Sequence, residues 1–339
     1  NRIYSTVNTV GGDDTINASS GDNRLVGGDG SDTINAGNGN DLVIGDNGEI
    51  NFDAAGIITD IQSTSTDQGG ADFITLVAGN NTVIAGFGSD EVTTGKGADD
   101  VIGDNGIIQY VDGVAVRLST NDNDVSTTGV DTIIVGGGDN RVLAGLSNDE
   151  VTSTYGNDVV LGDNGELSYI NNVLVNAISS EASTGGDDLL ALGEGNNIVI
   201  GGAGADVITT LSGVDTILGD NGQLVWSVTG IIESVTATDL TNGADDIIVA
   251  GDADNIIVGA TGDDIIETGI DNDTILGDGG VALYTDGVLV SLSSDAVEAG
   301  DDIITVVNGN NIIAGGAGAD VITTTDGVDI ILGDNGQLV

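Results

Sequence analysis

A ladder with a nine-residue rung limits what this chain can fold into more than any other feature. Asp14, Asn23, Asp32 and Asp41 stand nine apart, and an apolar residue follows each two positions later: Ile16, Leu25, Ile34 and Val43. The same four rungs recur as Asp72, Asn81, Asp90 and Asp99, then Asp131, Asn140, Asp149 and Asp158, then Asp188, Asn197, Asp206 and Asp215. Asp246, Asn255, Asp264 and Asp273 follow, and Asp302, Asn311, Asp320 and Asp329 complete the set. A longer period encloses them. GDNG or GDGG begins at Gly45, Gly103, Gly162, Gly219, Gly277 and Gly333, in steps of 58, 59, 57, 58 and 56 residues. Such regularity marks a repeat architecture, here six copies of one unit. The phrase ILGDNGQLV at 217–225 returns at 331–339, so both ends fall in the same part of the unit, and an excerpt from a longer array is expected.

Composition narrows the partners and the chemistry. Of 339 residues, 55 are acidic and five basic, a formal charge of −50, which disfavours nucleic acid and anionic membrane. The chain has no Cys, His, Met or Pro, and so no thiolate or imidazole ligand, no disulfide and few of the usual general bases; no enzyme is expected. So acidic a balance would ordinarily mean disorder, yet 39% of residues are apolar and fall in short Val/Ile/Leu runs between Gly-rich turns. That pattern predicts many short strands. No run approaches the roughly 18 apolar residues of a membrane helix, so no membrane insertion is expected.

The turns carry a known pattern. GGDGSDTIN (27–35) and GGAGADVIT (201–209 and 315–323) resemble the nonapeptide G-G-x-G-x-D-x-U-x of the repeats-in-toxin (RTX) family. The resemblance implies a calcium-bound parallel β-roll, secreted by bacteria through a type I route and folded outside the cell. The chain departs from the pattern where Asn fills the second rung of every unit, where Ser147 replaces the third Gly, and in STYGND (153–158). Those sites are expected to be weaker or empty.

Elementary chemistry leads to the same ion. Each half-turn combines a Gly-rich bend with a short strand, and two half-turns make a coil. Residues 18 apart then stack about 4.8 Å apart, which puts Asp14 over Asp32 and Asn23 over Asp41. Carboxylates that close repel unless a cation lies between them, and turn carbonyls can complete an all-oxygen shell, which suits Ca²⁺ better than Mg²⁺ or Zn²⁺. The alternative is a solvated Asp/Asn ladder on a metal-free β-helix. Two stacks per unit imply about twelve ions, and more if Asp32 also lies under Asp72. Folding and metal binding are then one event, at the roughly 10⁻⁴ to 10⁻³ M calcium that extracellular modules need.

Between GDNG and the next rung lie segments that break the beat. IIQYVDGVAVRLS, LSYINNVLVNAIS and ALYTDGVLVSLSS alternate apolar and polar residues around Asp-Gly or Asn-Asn, which predicts β-hairpins. Roll segments are therefore expected at 11–46, 69–104, 128–163, 185–220, 243–278 and 299–334. Hairpins are expected at 47–68, 105–127, 164–184, 221–242 and 279–298, with partial hairpin strands at 1–10 and 335–339. Phe52, Tyr110, Tyr169, Trp226 and Tyr284 form one column, each seven residues after the first Gly of its motif; they either pack the hairpin onto the roll or make a contact strip for glycan. The motif's aspartates (Asp46, Asp104, Asp163, Asp220, Asp278 and Asp334) either cap the last calcium of each unit or make the turn into the hairpin.

The expectation is thus an all-β, elongated rod: a parallel β-roll of nine-residue half-turns interrupted every ~58 residues by a β-hairpin. Its expected role is a calcium-stabilised structural region outside the cell or on its surface, serving as stalk, filament, adhesin, matrix or surface-layer material. Its expected partners are calcium, further copies joined head to tail, and a glycan or cell-surface ligand. The rival reading is the calcium-binding secretion and folding region of a toxin or hydrolase whose catalytic domain lies elsewhere.

Overall fold

The structure, a computed structural model, describes residues 1–6, 11–121, 129–180, 183–238, 241, 243–294 and 300–339. Parts of the expected segment 1–10, of the hairpins 105–127, 164–184, 221–242 and 279–298, and the first residues of the roll segments 128–163 and 299–334 lie outside them.

The nine-residue beat folds as coils. In the first unit Thr15–Asn17 runs along one face, the chain bends, Arg24–Val26 runs back along a second face, and Thr33–Asn38 and Leu42–Ile44 repeat the circuit. Strands on each face stack in parallel with the expected 18-residue offset, Ile16 beside Ile34 and Leu25 beside Val43. Stacking continues across the unit boundary, where Ile34 pairs with Ile74 and Val43 with Val83, 40 residues on. The additional 22 residues are looped out without disturbing the register. Among the described residues each face is a twelve-stranded parallel sheet.

The looped-out residues build a third sheet. Gly48–Phe52 and Ile58–Ser63 form the first hairpin, and successive hairpins pair antiparallel, Ile61 with Ile108 and Leu118 with Leu167, into twelve strands. Three hairpins turn on two residues of positive φ: Asp112 and Gly113, Asn171 and Asn172, Asp286 and Gly287. This backbone matches the right-handed strand twist, as the Asp-Gly and Asn-Asn pairs predict.

Two cores result. Ile34, Val43, Ile74, Val83, Val92 and Val101 fill the space between the two roll faces. Ile44, Ile84 and Ile102 point the other way, from the second face toward Ile50, Ile61, Ile108 and Leu118 of the hairpin sheet. The second face is thus covered on both sides, which is why several of its strands, such as Leu42–Ile44 and Val159–Leu161, read as unbroken apolar runs. The first face alternates, with buried Ile74 beside exposed Phe73. The five column aromatics pack against the second core. Each stands at a register shift of its hairpin, for example between Gln109 and Tyr110 or between Ser168 and Tyr169. A bulge re-aims a side chain, and here it lays the ring over the second face, where Tyr110 Oη lies 3.1 Å from Thr82 Oγ1.

The insert interrupts a turn instead of separating two turns. Gly45 occupies the same stack position as Gly27 and Ala85, since the Gly27 and Gly45 amides donate to the Ile44 and Ile84 carbonyls. Gly70 lies over Gly30. Gly45 and Asp46 therefore open the turn that Gly70, Ala71 and Asp72 close, and the hairpin stands where other turns have a single residue.

Candidate metal centres

Bends between the faces form two long edges. Edge one, leading from the second face to the first, carries the Asp rungs Asp14, Asp32, Asp72, Asp90, Asp131, Asp149, Asp188, Asp206, Asp246, Asp264, Asp302 and Asp320. Edge two carries Asn23, Asp41, Asn81, Asp99, Asn140, Asp158, Asn197, Asp215, Asn255, Asp273, Asn311 and Asp329. Both columns are continuous. On edge one the backbone N–H of each rung donates to Oδ1 of the next: Asp14 to Asp32, Asp32 to Asp72 and Asp72 to Asp90, each at 2.7 Å, and so on to Asp320. On edge two the same bond runs from Asn23 to Asp41, Asp41 to Asn81, and on to Asp329. A second ladder, one residue earlier and exposed, ties the coils from outside; Asn40 N–H donates to Asp22 Oδ1 and Asn80 N–H to Asn40 Oδ1, both at 2.9 Å. Asp or Asn just before many of the rungs, such as Asp13, Asp22, Asn40 and Asn80, was the available signal for it.

Edge one leaves its other oxygens unmatched. Oδ2 of every edge-one Asp from Asp32 to Asp320 is buried without a hydrogen-bond partner. An ionised oxygen in that position is costly unless a cation compensates it. The space beside it exists because a Gly or Ala faces it, five residues earlier in an uninterrupted turn and across the hairpin insert at Gly45, Gly103, Gly162, Gly219 and Gly277. A Cβ on Gly201 would collide with Asp206 Oδ2 and the Gly219 carbonyl oxygen; Gly259 relates in the same way to Asp264 and Gly277, and Gly27 to Asp32 and Gly45. Carboxylate and carbonyl oxygens from successive coils thus converge at a bare Cα. Among the described residues no three acidic side chains are placed to hold an ion by themselves, so an ion held here takes carboxylates together with main-chain carbonyls. An all-oxygen set of this kind fits calcium.

The electrostatics agree. Burial raises Asp72 and Asp302 to about 7 and Asp264 to about 9, with neighbouring carboxylates adding to the shift. Burial, then carboxylate neighbours, raises Asp90, Asp131, Asp149, Asp188, Asp206 and Asp246 well above the ordinary carboxylate range. In the metal-free fold these groups favour protons, the other available positive charge.

The GDNG aspartates lie on edge one as well. Asp46 Oδ1 accepts from Gly70 N–H at 3.1 Å and Oδ2 from Phe87 N–H of the next coil, closing the hairpin mouth. Asp220 does the same with Ala244 and Thr261, at 3.2 and 2.6 Å. Leu146 N–H binds Asp104 at 2.6 Å, and Asp163 and Asp278 each receive two such amides. Burial beside Asp72 and Asp90 pushes Asp46 up to about 10. Asp334 is exposed.

Fold and edge together define a parallel β-roll of the calcium-binding kind. The RTX calcium-binding nonapeptide repeat matches residues 8–48, 75–107, 125–160, 183–223, 240–281 and 305–337, more than half of the chain, which therefore belongs to that family. It is a calcium-binding repeat region. A search of curated proteins found no match. No helix among the described residues is long and apolar enough to cross a membrane.

Proposed function

We propose that this chain is a calcium-stiffened structural region working outside the bacterial cell or on its surface, as part of a stalk, filament, adhesin or matrix. One observation carries the reading: an uninterrupted column of buried, unpartnered carboxylate oxygens, Asp32 to Asp320, that only a row of cations can neutralise in the charged state. Calcium is abundant outside cells and scarce inside, so a fold that requires it forms after export. Uniform register across every unit boundary favours the structural role over the secretion region of a toxin or hydrolase. Repeated stacking in one direction favours an elongated rod that further units, covalent or docked head to tail, would lengthen. The reading includes no catalysis. The aromatic column serves packing, since its rings lie against the second core, and a glycan is left as a partner for other surfaces.

The test is circular dichroism with and without calcium. EGTA should abolish the β signal and calcium restore it, whereas equal Mg²⁺ should not. A spectrum indifferent to chelation would remove the basis of the proposal.

A further inference from the structure

The two edges are built alike in outline and differently in the gap that an ion would enter. On edge one the position facing each Asp from Asp32 onward is Gly or Ala: five residues earlier in the uninterrupted turns (Gly27, Ala85, Ala144, Gly201, Gly259 and Gly315), and across the hairpin insert in the others (Gly45, Gly103, Gly162, Gly219 and Gly277). Edge two has side chains there. Before the asparagines stand Leu76, Val135, Leu192, Ala250 and Val306, all buried in the core between the faces. Before the aspartates stand Thr94, Ser153, Thr210, Thr268 and Thr324.

The Asn amides and Thr268 meet the needs that a cation would meet on edge one, whereas Oδ2 of Asp41, Asp99, Asp158 and Asp215 is buried without a hydrogen-bond partner, with a hydroxyl in place of the edge-one Gly or Ala beside all but Asp41. Thr268 Oγ1 donates to Asp273 Oδ2 at 2.7 Å, in the place that Gly259 leaves open beside Asp264. Thr94 with Asp99 and Thr210 with Asp215 stand in the same relation just beyond hydrogen-bonding geometry; each hydroxyl and each Oδ2 is buried without another partner, so a small rotation joins them. The Asn amide does the rest. Asn140 Nδ2 donates to the Gly138 carbonyl and to Asp158 Oδ1, both at 2.9 Å, and Asn81 Nδ2 likewise to Gly79 and Asp99, both at 2.9 Å. Turn carbonyl and next-coil carboxylate are the oxygens that would otherwise bind an ion, and here an N–H donor holds them. Among the described edge-two aspartates only Asp41, with Ala36 before it, lacks the hydroxyl.

We propose that calcium loads only edge one of this roll, and that edge two is a metal-free seam closed by Asn amides and Thr or Ser hydroxyls. The inference rests on the calcium reading above and narrows it. A one-sided roll needs about half the calcium of a two-sided one for the same length, because the neutral donors on edge two are covalently present before any ion arrives.

Calcium counting by equilibrium dialysis tests this, at physiological ionic strength to screen loosely held ions from the acidic surface. Twelve edge-one aspartates stack in eleven steps, and edge two has eleven more. The whole chain should bind about eleven ions or fewer, not about twenty-two. Asp215→Asn should leave both the count and the calcium midpoint of folding within two-fold of the parent, whereas Asp206→Asn should lower the count and raise the midpoint about ten-fold. A count near twenty-two, or Asp215→Asn shedding as many ions as Asp206→Asn, overturns the one-sided seam while calcium binding stands. No bound calcium at all overturns both. Should Asp206→Asn not fold, the parent count and Asp215→Asn still decide.

Discussion

Thr268 donates its hydroxyl to Oδ2 of Asp273, five residues on, at 2.7 Å. Across the roll, Gly259 stands five residues before Asp264 and offers nothing, so the same oxygen there is buried and unmatched. One missing side chain separates a closed gap from an open one.

Filling an open gap should therefore abolish it. Gly201→Thr places atoms where Asp206 Oδ2 and the Gly219 carbonyl oxygen converge, and should destabilise the calcium-loaded fold by about 1–3 kcal/mol while removing an ion. Thermal unfolding in calcium and calcium counting check it. Parent-like stability with an unchanged count would show that the Gly cradle holds no ion.

Acid should substitute for calcium. Asp264 is raised to about 9 and Asp72 and Asp302 to about 7 in the fold, against an ordinary value of about 4 in the unfolded chain. Groups with raised folded values stabilise the fold fully below about pH 4 and lose that contribution as pH climbs through the folded values. The calcium-free chain should gain β structure as pH falls from about 8 to about 4, the charge of −50 shrinking alongside. Circular dichroism in EGTA reads this, and a chain unfolded at both ends of the titration contradicts it.

Backbone strain offers a stabilising change. Ala253 has φ 124° and Ser147 φ 90°, where the equivalent turn residues Gly195 and Gly204 are free to adopt such angles. Ala253→Gly and Ser147→Gly should each stabilise the calcium-loaded protein by about 1 kcal/mol. Chemical denaturation measures it; destabilisation would mean that the side chains contribute more than their strain costs.

Arg141 is the last basic residue, and it pairs with Asp100 on the neighbouring strand while stacking 4.6 Å from the Tyr169 ring. Arg141→Met leaves a buried carboxyl without its partner and should cost about 3 kcal/mol, much of it recovered by adding Asp100→Asn. A double-mutant cycle in denaturant separates the terms, and strict additivity would rule out the coupling.

Sequence alone determined the coil, both edges and the hairpins, because each follows from spacing: nine residues per half-turn, 18 per coil, and Asp-Gly or Asn-Asn between alternating strands. It also named the right ion, since stacked carboxylates without Cys or His leave few alternatives. Tertiary structure decided what spacing cannot express. That the hairpin opens inside a turn follows from Gly45 and Gly70 lying in the same stacked bend, although 25 residues separate them. That Asp46 clamps this mouth depends on amides of Gly70 and Phe87 brought to it by that closure. The difference between the edges was present in the sequence as Gly259 against Thr268, but it acquired meaning only once the bend brought position and rung, five residues apart, face to face across one gap. Periodicity reports which residues recur; whether a recurring oxygen faces a hydroxyl or an empty space is settled by where the folded backbone turns its side chains.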